Sequence, residues 1–431
     1  MSDTAAPAIG IVRGGASPTA VRARRSIGAM FFLIGALSAS WISRIPAMKD
    51  RLDLSEGRLG LLLLCPALGA ILAFQVAGPL LARFGSRRVT WSVTAVLSVI
   101  VVGPAYGPTP LWTALALGSY GAIGGLMDVA INAHGLEVES AMGRPILGSL
   151  HGLVSLGRLT GAGAGALAAA VGMAPTVHLV VMAVAFQLVT TCFGRGLLPE
   201  SAVPATPGIE APNGDEPVPA KPSRRDPRLM GLLIGLGALC FCSSVSEGAM
   251  ADWSGVYLSD VLHTNEALAA SAYAAFSLAM LVGRFSGDHL TMRLGATGVV
   301  RSGGLLVAVA LVLGLVANTT VTMMVAFMCV GLGVAVLVPT AFRAAGRLPG
   351  IAPGSAIAML ATVSYVAFLA SPPVIGFISE YVTLRGGLLV VAVGGIIVAV
   401  FAPAVEGRTP SLPTWFRPKS SDVRRDPSNV A

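Results

Sequence analysis

Residues 78–88 read Gly-Pro-Leu-Leu-Ala-Arg-Phe-Gly-Ser-Arg-Arg, where one long apolar segment, 56–81, gives way to another, 89–106. An apolar run of about 20 residues is long enough to cross the hydrocarbon core of a bilayer as a helix. Basic residues collect in the short loops on the cytoplasmic side of a membrane. The stretch is therefore predicted to be a cytoplasmic loop between two transmembrane helices.

Apolar segments of this kind recur along the whole chain of 431 residues. Hydrophobic residues make up 54% of the sequence and charged residues only 12%, whereas about 25% of a soluble domain is charged. The period-two alternation of a membrane β-barrel is absent, and helices are the other structure that satisfies every backbone group in lipid. The sequence therefore predicts an all-α polytopic membrane protein with twelve transmembrane helices. Their predicted bounds are 26–48, 56–81, 89–106, 111–133, 146–171, 175–193, 229–251, 266–290, 298–317, 320–342, 354–379 and 386–404.

The basic residues predict how these helices are oriented. With an even number of spans both termini lie on one side, and 22 of the 29 lysines and arginines fall in the tails and loops of that side. By the positive-inside rule that side is cytoplasmic, so we expect a multi-pass protein of the cell membrane with both termini in the cytoplasm. Because the basic residues are spread over helix ends, the net charge of +8 indicates topology, and no nucleic-acid partner is expected.

A break in the hydrophobic pattern divides the chain. Residues 194–228 are polar and contain eight prolines, a composition that buries too little surface to fold. We therefore predict a cytoplasmic linker there, between an N-terminal six-helix half, 26–193, and a C-terminal six-helix half, 229–404. Residues 1–25 and 405–431 are predicted to be cytoplasmic tails.

The two halves repeat one another in sequence. Identical or similar residues from Leu52 to Gly85 recur from Leu262 to Gly295 at a constant offset of 210 positions. An offset that is held over more than one span indicates an internal repeat rather than chance. Two pseudo-symmetric halves, related by an axis along the membrane normal, are therefore predicted.

The loop at 78–88 resembles the signature loop of the major facilitator superfamily, which reads roughly Gly-x-x-x-Asp-Arg-x-Gly-x-Arg-Arg. Ala82 stands where the family has an acidic residue. In the family these loops latch the two halves together on the cytoplasmic side, so the resemblance implies an asymmetric latch here. The matching positions are Gly78, Arg83, Gly85, Arg87 and Arg88 in the first half and Gly287, Asp288, Arg293 and Gly295 in the second.

Three longer strings are similar to a subgroup of bacterial inner-membrane proteins related to a proposed rhizopine transporter and, more loosely, to sugar–proton symporters. They read Trp41-Ile-Ser-Arg-Ile-Pro-Ala-Met-Lys49, Asp128-Val-Ala-Ile-Asn132-Ala and Ala251-Asp-Trp-Ser-Gly-Val-Tyr257. The resemblance implies the twelve-helix fold and a small-molecule substrate. No nucleotide-binding Gly-x4-Gly-Lys-[Ser/Thr] string occurs in the sequence, so we expect no ATP drive within the chain. The five cysteines have no metal or redox spacing, and we expect no metal and no cofactor.

A charge near the bilayer centre costs at least about 2.5–3.5 kcal/mol, so each one needs a partner or a function. Arg158 lies near the middle of the fifth span, with His151 and Ser155 on the same helical face. It is interpreted either as a cationic anchor for a substrate carboxylate or hydroxyl, or as the structural partner of Asp128. Asp128 shares a face with Asn132 and either carries a coupling proton, pairs with Arg158 or caps a helix end.

Opposite charges also occur in the outer halves of the first and seventh spans. Arg44 is expected to face Glu247 and Asp252 across the central cavity and to form an outer gate that closes by pairing. Glu247 is the deeper of the two acids and is the second candidate for the coupling proton. Trp41 and Trp253 are interpreted either as stacking faces for a sugar ring or as part of an aromatic belt.

Arg284 is the second basic residue inside a span. Asp288 follows it by four positions and therefore lies on the same helical face. The two are expected to form a local ion pair, with direct substrate contact by Arg284 as the alternative.

The charges favour a proton-coupled secondary transporter that acts by rocking of its halves, with Asp128 or Glu247 as the proton carrier. An exporter of a drug or secondary metabolite is the first alternative, and a membrane sensor that does not transport is the second. An enzyme is not expected, because His134, His151 and Glu137 form no recognisable catalytic constellation with Asp128. The expected partners are a small-molecule substrate, protons and the lipid bilayer, and the chain is expected to be a monomer.

Overall fold

The computed structural model describes residues 17–144, 146–199, 227–349, 351 and 353–408, and these residues form helices and short connections without a strand. Twelve helical spans are long and apolar enough to cross a membrane, so the predicted number of spans is confirmed. They are α1 (Pro18–Leu52), α2 (Glu56–Phe84), α3 (Ser86–Tyr106), α4 (Pro110–Met142), α5 (Leu147–Ala170), α6 (Pro175–Gly194), α7 (Arg228–Val261), α8 and α9 (the parts of Glu266–Ala317 before and after Gly295), α10 (Thr320–Ala345), α11 (Pro353–Tyr381) and α12 (Leu384–Glu406).

The first span begins and the last span ends on the same face of the bundle, which we call the terminal face; the other is the opposite face. The first helix begins at Pro18, so part of the predicted tail 1–25 is helical. Most of the predicted linker, 200–226, lies outside the described residues, as do 1–16 and 409–431.

Two spans change direction near the opposite face. The first consists of a helix that ends at Ile42 and a shorter one that begins at Ile45. Pro46 lies in the first turn of the shorter helix, where its missing N–H removes no intrahelical hydrogen bond. At its own end, α7 continues into a π-helical turn, Tyr257–Val261. Both changes of direction bring charged side chains to the boundary between the halves.

The sequence repeat reappears as a repeat of unusual backbone conformations. Asp53 and His263, 210 residues apart, both have left-handed backbones, with φ of 48° and 51°. Gly85 and Gly295, also 210 apart, have φ of 77° and 74° with ψ of 156° and 164°. Equivalent connections in the two halves therefore turn in the same way, as the two-half fold requires.

Close packing of α5 against α1 sets the direction in which Arg158 points. A Cβ atom on Gly157 would lie 2.1 Å from the Phe32 carbonyl oxygen, and one on Gly161 would lie 2.3 Å from that of Ala36. Only glycine permits this approach, which is typical of small-residue stripes between membrane helices. Because residues 157 and 161 face α1, Arg158 projects from another side of α5.

Alanine at Gly295 tests the repeated turn. The backbone of this residue lies in a region that is essentially restricted to glycine, where another residue costs about 1–3 kcal/mol. We expect Gly295→Ala to lower the free energy of unfolding by about that amount, measured as a lower midpoint of thermal unfolding in detergent. Gly124→Ala in α4 is the matched control, because its Cβ would meet no atom within 4 Å. Equal midpoints for the two variants would contradict the prediction.

Candidate functional site

An ion pair at mid-membrane depth joins the two halves. Arg158 lies halfway along α5 and its guanidinium donates to the Glu247 carboxylate, which lies near the middle of α7. The two side chains are 28% and 16% exposed, so the pair is not fully sealed in a core. The alternative in which Asp128 is the structural partner of Arg158 is wrong, because the neighbouring half supplies the partner.

A second basic side chain reaches the same place from α8. Arg284 donates to the hydroxyl of Ser155, one turn away from Arg158 on α5. The Glu247 carboxylate lies within electrostatic reach of both guanidinium groups. The side chain of Asp288, the partner predicted for Arg284, lies outside the described residues. Two cations therefore share one close anion, which leaves room for a negatively polarised ligand.

We call the group formed by Arg158, Glu247 and Arg284 the central site, and aromatic and hydroxyl groups line one side of it. A narrow pocket between α5 and α8 is lined by Ser155, Arg158, Tyr273, Phe276, Ser277 and Met280. The rings of Tyr273 and Phe276 are stacked, with centroids 5.8 Å apart. The Ser277 hydroxyl is buried and lies next to the Tyr273 hydroxyl. Because it lines the pocket, this hydroxyl is a candidate donor or acceptor for a bound solute.

Asp128 makes a different contact between the halves. The Tyr365 hydroxyl of α11 donates to its carboxylate over 3.1 Å, and the Asn132 amide donates to the same carboxylate over 3.3 Å. His151 lies within electrostatic reach of Asp128 and of Arg158. The predicted residues of the fourth and fifth spans are thus brought close together, and Tyr365, which contacts them from the other half, is 45% exposed.

The opposite face is closed by polar contacts between the halves. Arg44, at the break in α1, is 2% exposed and pairs with Glu266 at the start of α8, over 2.8 Å. Lys49 pairs with Asp260 in the π-helical turn. The Glu380 carboxylate of α11 accepts a hydrogen bond from the backbone N–H of Gly57 over 2.8 Å. An outer gate that closes by pairing of Arg44 was predicted, but the acid that pairs with Arg44 is Glu266 rather than Glu247 or Asp252.

The predicted partners of Arg44, Glu247 and Asp252, are wrong for a physical reason. The break in α1 lies next to Arg44 and directs its side chain toward the start of α8. The Glu247 carboxylate instead pairs with the Arg158 guanidinium. Asp252 lies within electrostatic reach of Tyr273, on the side of the central site that is nearer the opposite face.

Trp41 and Trp253 do not expose the faces of their rings, so neither is available to stack on a sugar ring in this state. Trp253 is fully buried and its indole N–H has no hydrogen-bond partner among the described residues. Trp41 is 6% exposed and makes an edge contact with Tyr120, with centroids 6.3 Å apart. Both rings therefore act as packing groups in this state.

The first signature loop is tied to its own half. Ser86 donates to Glu137 and hydrogen bonds to His134 Nδ1 over 2.8 Å. His134 Nε2 accepts from the backbone N–H of Leu198 over 3.1 Å. Arg87 donates to the Arg195 carbonyl oxygen over 3.4 Å. These contacts join the loop to α4 and to the end of α6.

The other signature residues lie at the terminal face. Arg83, Arg88 and Arg293 are exposed there, and the Arg83 guanidinium lies 5.3 Å from the centre of the Phe84 ring. Gly78 and Gly287 lie on α2 and α8, one to two turns before the loops. After Gly295, the backbone N–H of Thr297 donates to Glu406 in the same half over 3.3 Å. A latch between the halves stays a prediction.

Sequence reasoning missed five residues that contact the other half or line the pocket: Asp260, Glu266, Tyr273, Tyr365 and Glu380. A signal for two of them existed. Few basic residues were assigned to the opposite face, and acids in the connection between α7 and α8 are their natural partners. Within the residues that the structure describes, no group of three or more His, Cys, Asp or Glu could hold a metal ion.

Comparisons with known proteins agree with the geometry. A family model described as Major Facilitator Superfamily matches residues 27–297 and 249–428. An uncharacterised MFS-type transporter from Yersinia pestis is 32% identical over 375 residues, which cover 87% of this chain and 94% of the relative. Membrane protein MosC of Rhizobium meliloti is 28% identical over 374 residues, covering 87% and 88%. The solved D-xylose-proton symporter has a TM-score of 0.70 at 15% identity, covering 90% of this chain and 99% of that one. The resemblance seen in the sequence is confirmed.

Exchanging the charges of the central pair tests whether it holds the halves together. Removing one partner of a buried ion pair costs about 3–5 kcal/mol, and the partial exposure of this pair reduces that cost. We expect Arg158→Glu and Glu247→Arg each to lower the thermal unfolding midpoint strongly, and the double exchange to recover at least half of the loss. The control is Glu56→Gln, because Lys49 keeps Asp260 as a partner. Additive losses in the double variant would show that the pair is not formed.

Proposed function

The chain belongs to the major facilitator superfamily, and we propose that it moves a small polar solute across the cytoplasmic membrane by alternating access, coupled to protons. The observation that carries the proposal is the ion pair of Arg158 with Glu247. A charge at this depth is tolerated only with a partner, so the two halves are held together at the centre as long as Glu247 is ionised. Protonation of Glu247, or an anionic group of the solute, would release Arg158.

The contacts between the halves indicate where the state described here would open. The pairs of Arg44 with Glu266 and Lys49 with Asp260 close the opposite face, whereas Tyr365 and His151, which lie beside Asp128, are exposed. The solute would therefore exchange with the terminal face in this state. Opening the opposite face requires those two pairs to separate, and the carboxylates involved are 41% and 20% exposed, so water can replace the lost partners.

The composition of the central site favours a solute rich in hydrogen-bond acceptors. The guanidinium groups of Arg158 and Arg284 can donate several hydrogen bonds each, and Glu247 neutralises only one of them. The hydroxyls of Ser155, Ser277 and Tyr273 add polar groups that can donate or accept. A hydroxylated carboxylate or a sugar-like solute satisfies such a set, whereas a hydrophobic drug would leave it without partners.

Near the middle of the spans two acids contact the neighbouring half, Glu247 and Asp128, and their positions distinguish their roles. Glu247 neutralises a guanidinium directly, so its protonation changes the charge balance between the halves. Asp128 accepts hydrogen bonds from the neutral groups of Tyr365 and Asn132, which both of its protonation states can satisfy in part. We therefore assign the coupling proton to Glu247 and a positioning role in the cavity to Asp128.

Transport by reconstituted protein tests this assignment. Proteoliposomes with an imposed pH gradient would be offered a panel of radiolabelled pentoses, inositols, nucleosides and hydroxy acids. With the solute that is accumulated, Glu247→Gln is expected to abolish accumulation above the external level but to retain counterflow exchange, because binding no longer needs a proton. Asp128→Asn is the matched control and is expected to keep gradient-driven accumulation with a changed apparent affinity.

Three results would contradict parts of the proposal. Accumulation that does not respond to the pH gradient in the unmodified protein would exclude proton coupling. Loss of coupling in Asp128→Asn with coupling retained in Glu247→Gln would exchange the roles of the two acids. Failure of both variants to exchange solute by counterflow would show that the acids bind the solute rather than the proton.

The orientation has its own test. We assign the terminal face to the cytoplasm because most of the basic residues lie there. Green fluorescent protein fused after Ala431 is expected to fluoresce, and alkaline phosphatase fused at the same point is expected to be inactive. Phosphatase inserted in the short connection at Pro108, on the opposite face, should be active. The reverse pattern would overturn the assignment.

A further inference from the structure

A crevice of about 660 Å³ opens at the terminal face of the N-terminal half. Its floor is α1 and its two walls are α5 and α6, so it lies within one half and away from the central site. A second crevice of about 340 Å³ adjoins it at the first turns of α1 and the end of α6. Arg25 and Phe193 line both, so the two crevices form one surface.

The rim of this surface is strongly basic. Five arginines line it: Arg22, Arg24, Arg25, Arg144 and Arg195. None of the described residues that line the crevices is a carboxylate. Arg24 is aimed into the larger crevice by a hydrogen bond from its guanidinium to the Ser149 hydroxyl, over 3.5 Å. Guanidinium groups in this number, without acids among them, fit a phosphate group by charge and by hydrogen-bond geometry.

The larger crevice is lined by basic residues at its outer end and by apolar residues at its deeper end. Arg24 and Arg25 mark its outer end, and Phe32, two turns further along α1, marks its deeper end. The deeper walls are formed by Leu153 of α5 and Val189 of α6. A ligand that fills it must be charged at one end and apolar at the other.

We propose that this crevice binds an anionic phospholipid of the leaflet at the terminal face, with its phosphate among the arginines and an acyl chain along the apolar groove. Basic pockets between transmembrane helices are known to hold anionic headgroups. Gly28 and Ala29 line the floor of the groove and carry little or no side chain there. A free phosphate would use the rim and leave the groove empty. The inference does not depend on the proposed function.

The test compares lipids on the unmodified, delipidated protein in detergent. Dioleoyl phosphatidylglycerol, dioleoyl phosphatidylcholine and glycerol phosphate would be titrated separately, with bound lipid counted by native mass spectrometry and stability followed by thermal unfolding. We expect phosphatidylglycerol to bind at least tenfold more tightly than phosphatidylcholine and to raise the unfolding midpoint, and glycerol phosphate to do neither.

Variants then locate the site. Removing an arginine near a headgroup weakens binding about fivefold, so Arg24→Gln with Arg144→Gln should weaken phosphatidylglycerol binding about 25-fold. The matched control is Arg347→Gln with Arg408→Gln, which removes two exposed arginines from the same face of the other half. Ala29→Phe keeps every charge but fills the groove, and it should also weaken binding.

Several outcomes would overturn the inference. Equal binding of the two lipids would show that the arginines do not select a charge. Tight binding of glycerol phosphate would identify a site for a soluble anion. An equal loss in the two double variants would place the lipid elsewhere. Tight binding only after removal of residues 1–16 would show that the chain's own N-terminus covers the crevice.

Discussion

A guanidinium held in the middle of a membrane span is the constraint on which the arrangement of the two halves depends. Arg158 lies on α5 of one half, and the Glu247 carboxylate that neutralises it lies on α7 of the other. Since the cost of an unpaired charge at this depth is several kcal/mol, the halves cannot part at the centre until another group replaces one member of the pair. Any proton or solute that does so is thereby linked to the motion of the halves.

The polar centre is asymmetric although the scaffold is a repeat. The backbone turns at Gly85 and Gly295 are equivalent, but at the same offset of 210 the counterpart of Arg284 is Phe74. Phe74 packs edge-on against Tyr365, with centroids 5.4 Å apart. The contact between α2 and α11 is thus aromatic, whereas in the pseudo-equivalent contact between α8 and α5 the Arg284 guanidinium donates to the Ser155 hydroxyl. The repeat gives the two halves similar backbones, and residues that differ between the halves form the polar site.

The helices and the repeat could be predicted from the sequence because each depends on local information. A run of apolar residues must be helical in lipid whatever surrounds it, and the offset of 210 is visible without a fold. The partner of Arg158 could not be predicted in this way. Asp128 and Glu247 both lie near its depth, and the choice depends on how α5 is rotated about its axis, which the glycine contacts with α1 decide. Those contacts involve the Phe32 and Ala36 carbonyl groups, which no side-chain pattern reveals.

The partner of Arg44 at the opposite face could not be predicted from the sequence either. The sequence predicts a continuous span through Arg44, and therefore partners at the same depth on the facing helix. The span instead breaks at residues 43–44, and Pro46 lies in the first turn of the helix that follows. With the break at Arg44, the side chain turns toward the start of α8 and meets Glu266.

The first signature loop lacks the acid that its family counterparts carry, and a carboxylate from α4 stands near it instead. His134 accepts a hydrogen bond at Nε2 from Leu198, so its proton lies on Nδ1 and is donated to Ser86, whose own hydroxyl donates to Glu137. These hydrogen bonds tie the loop to α4 and to the end of α6. The loop is therefore expected to move together with them as one body. In the proposed rocking motion, Arg83 and Arg88 would move past the other half as charges fixed to this edge of their own half.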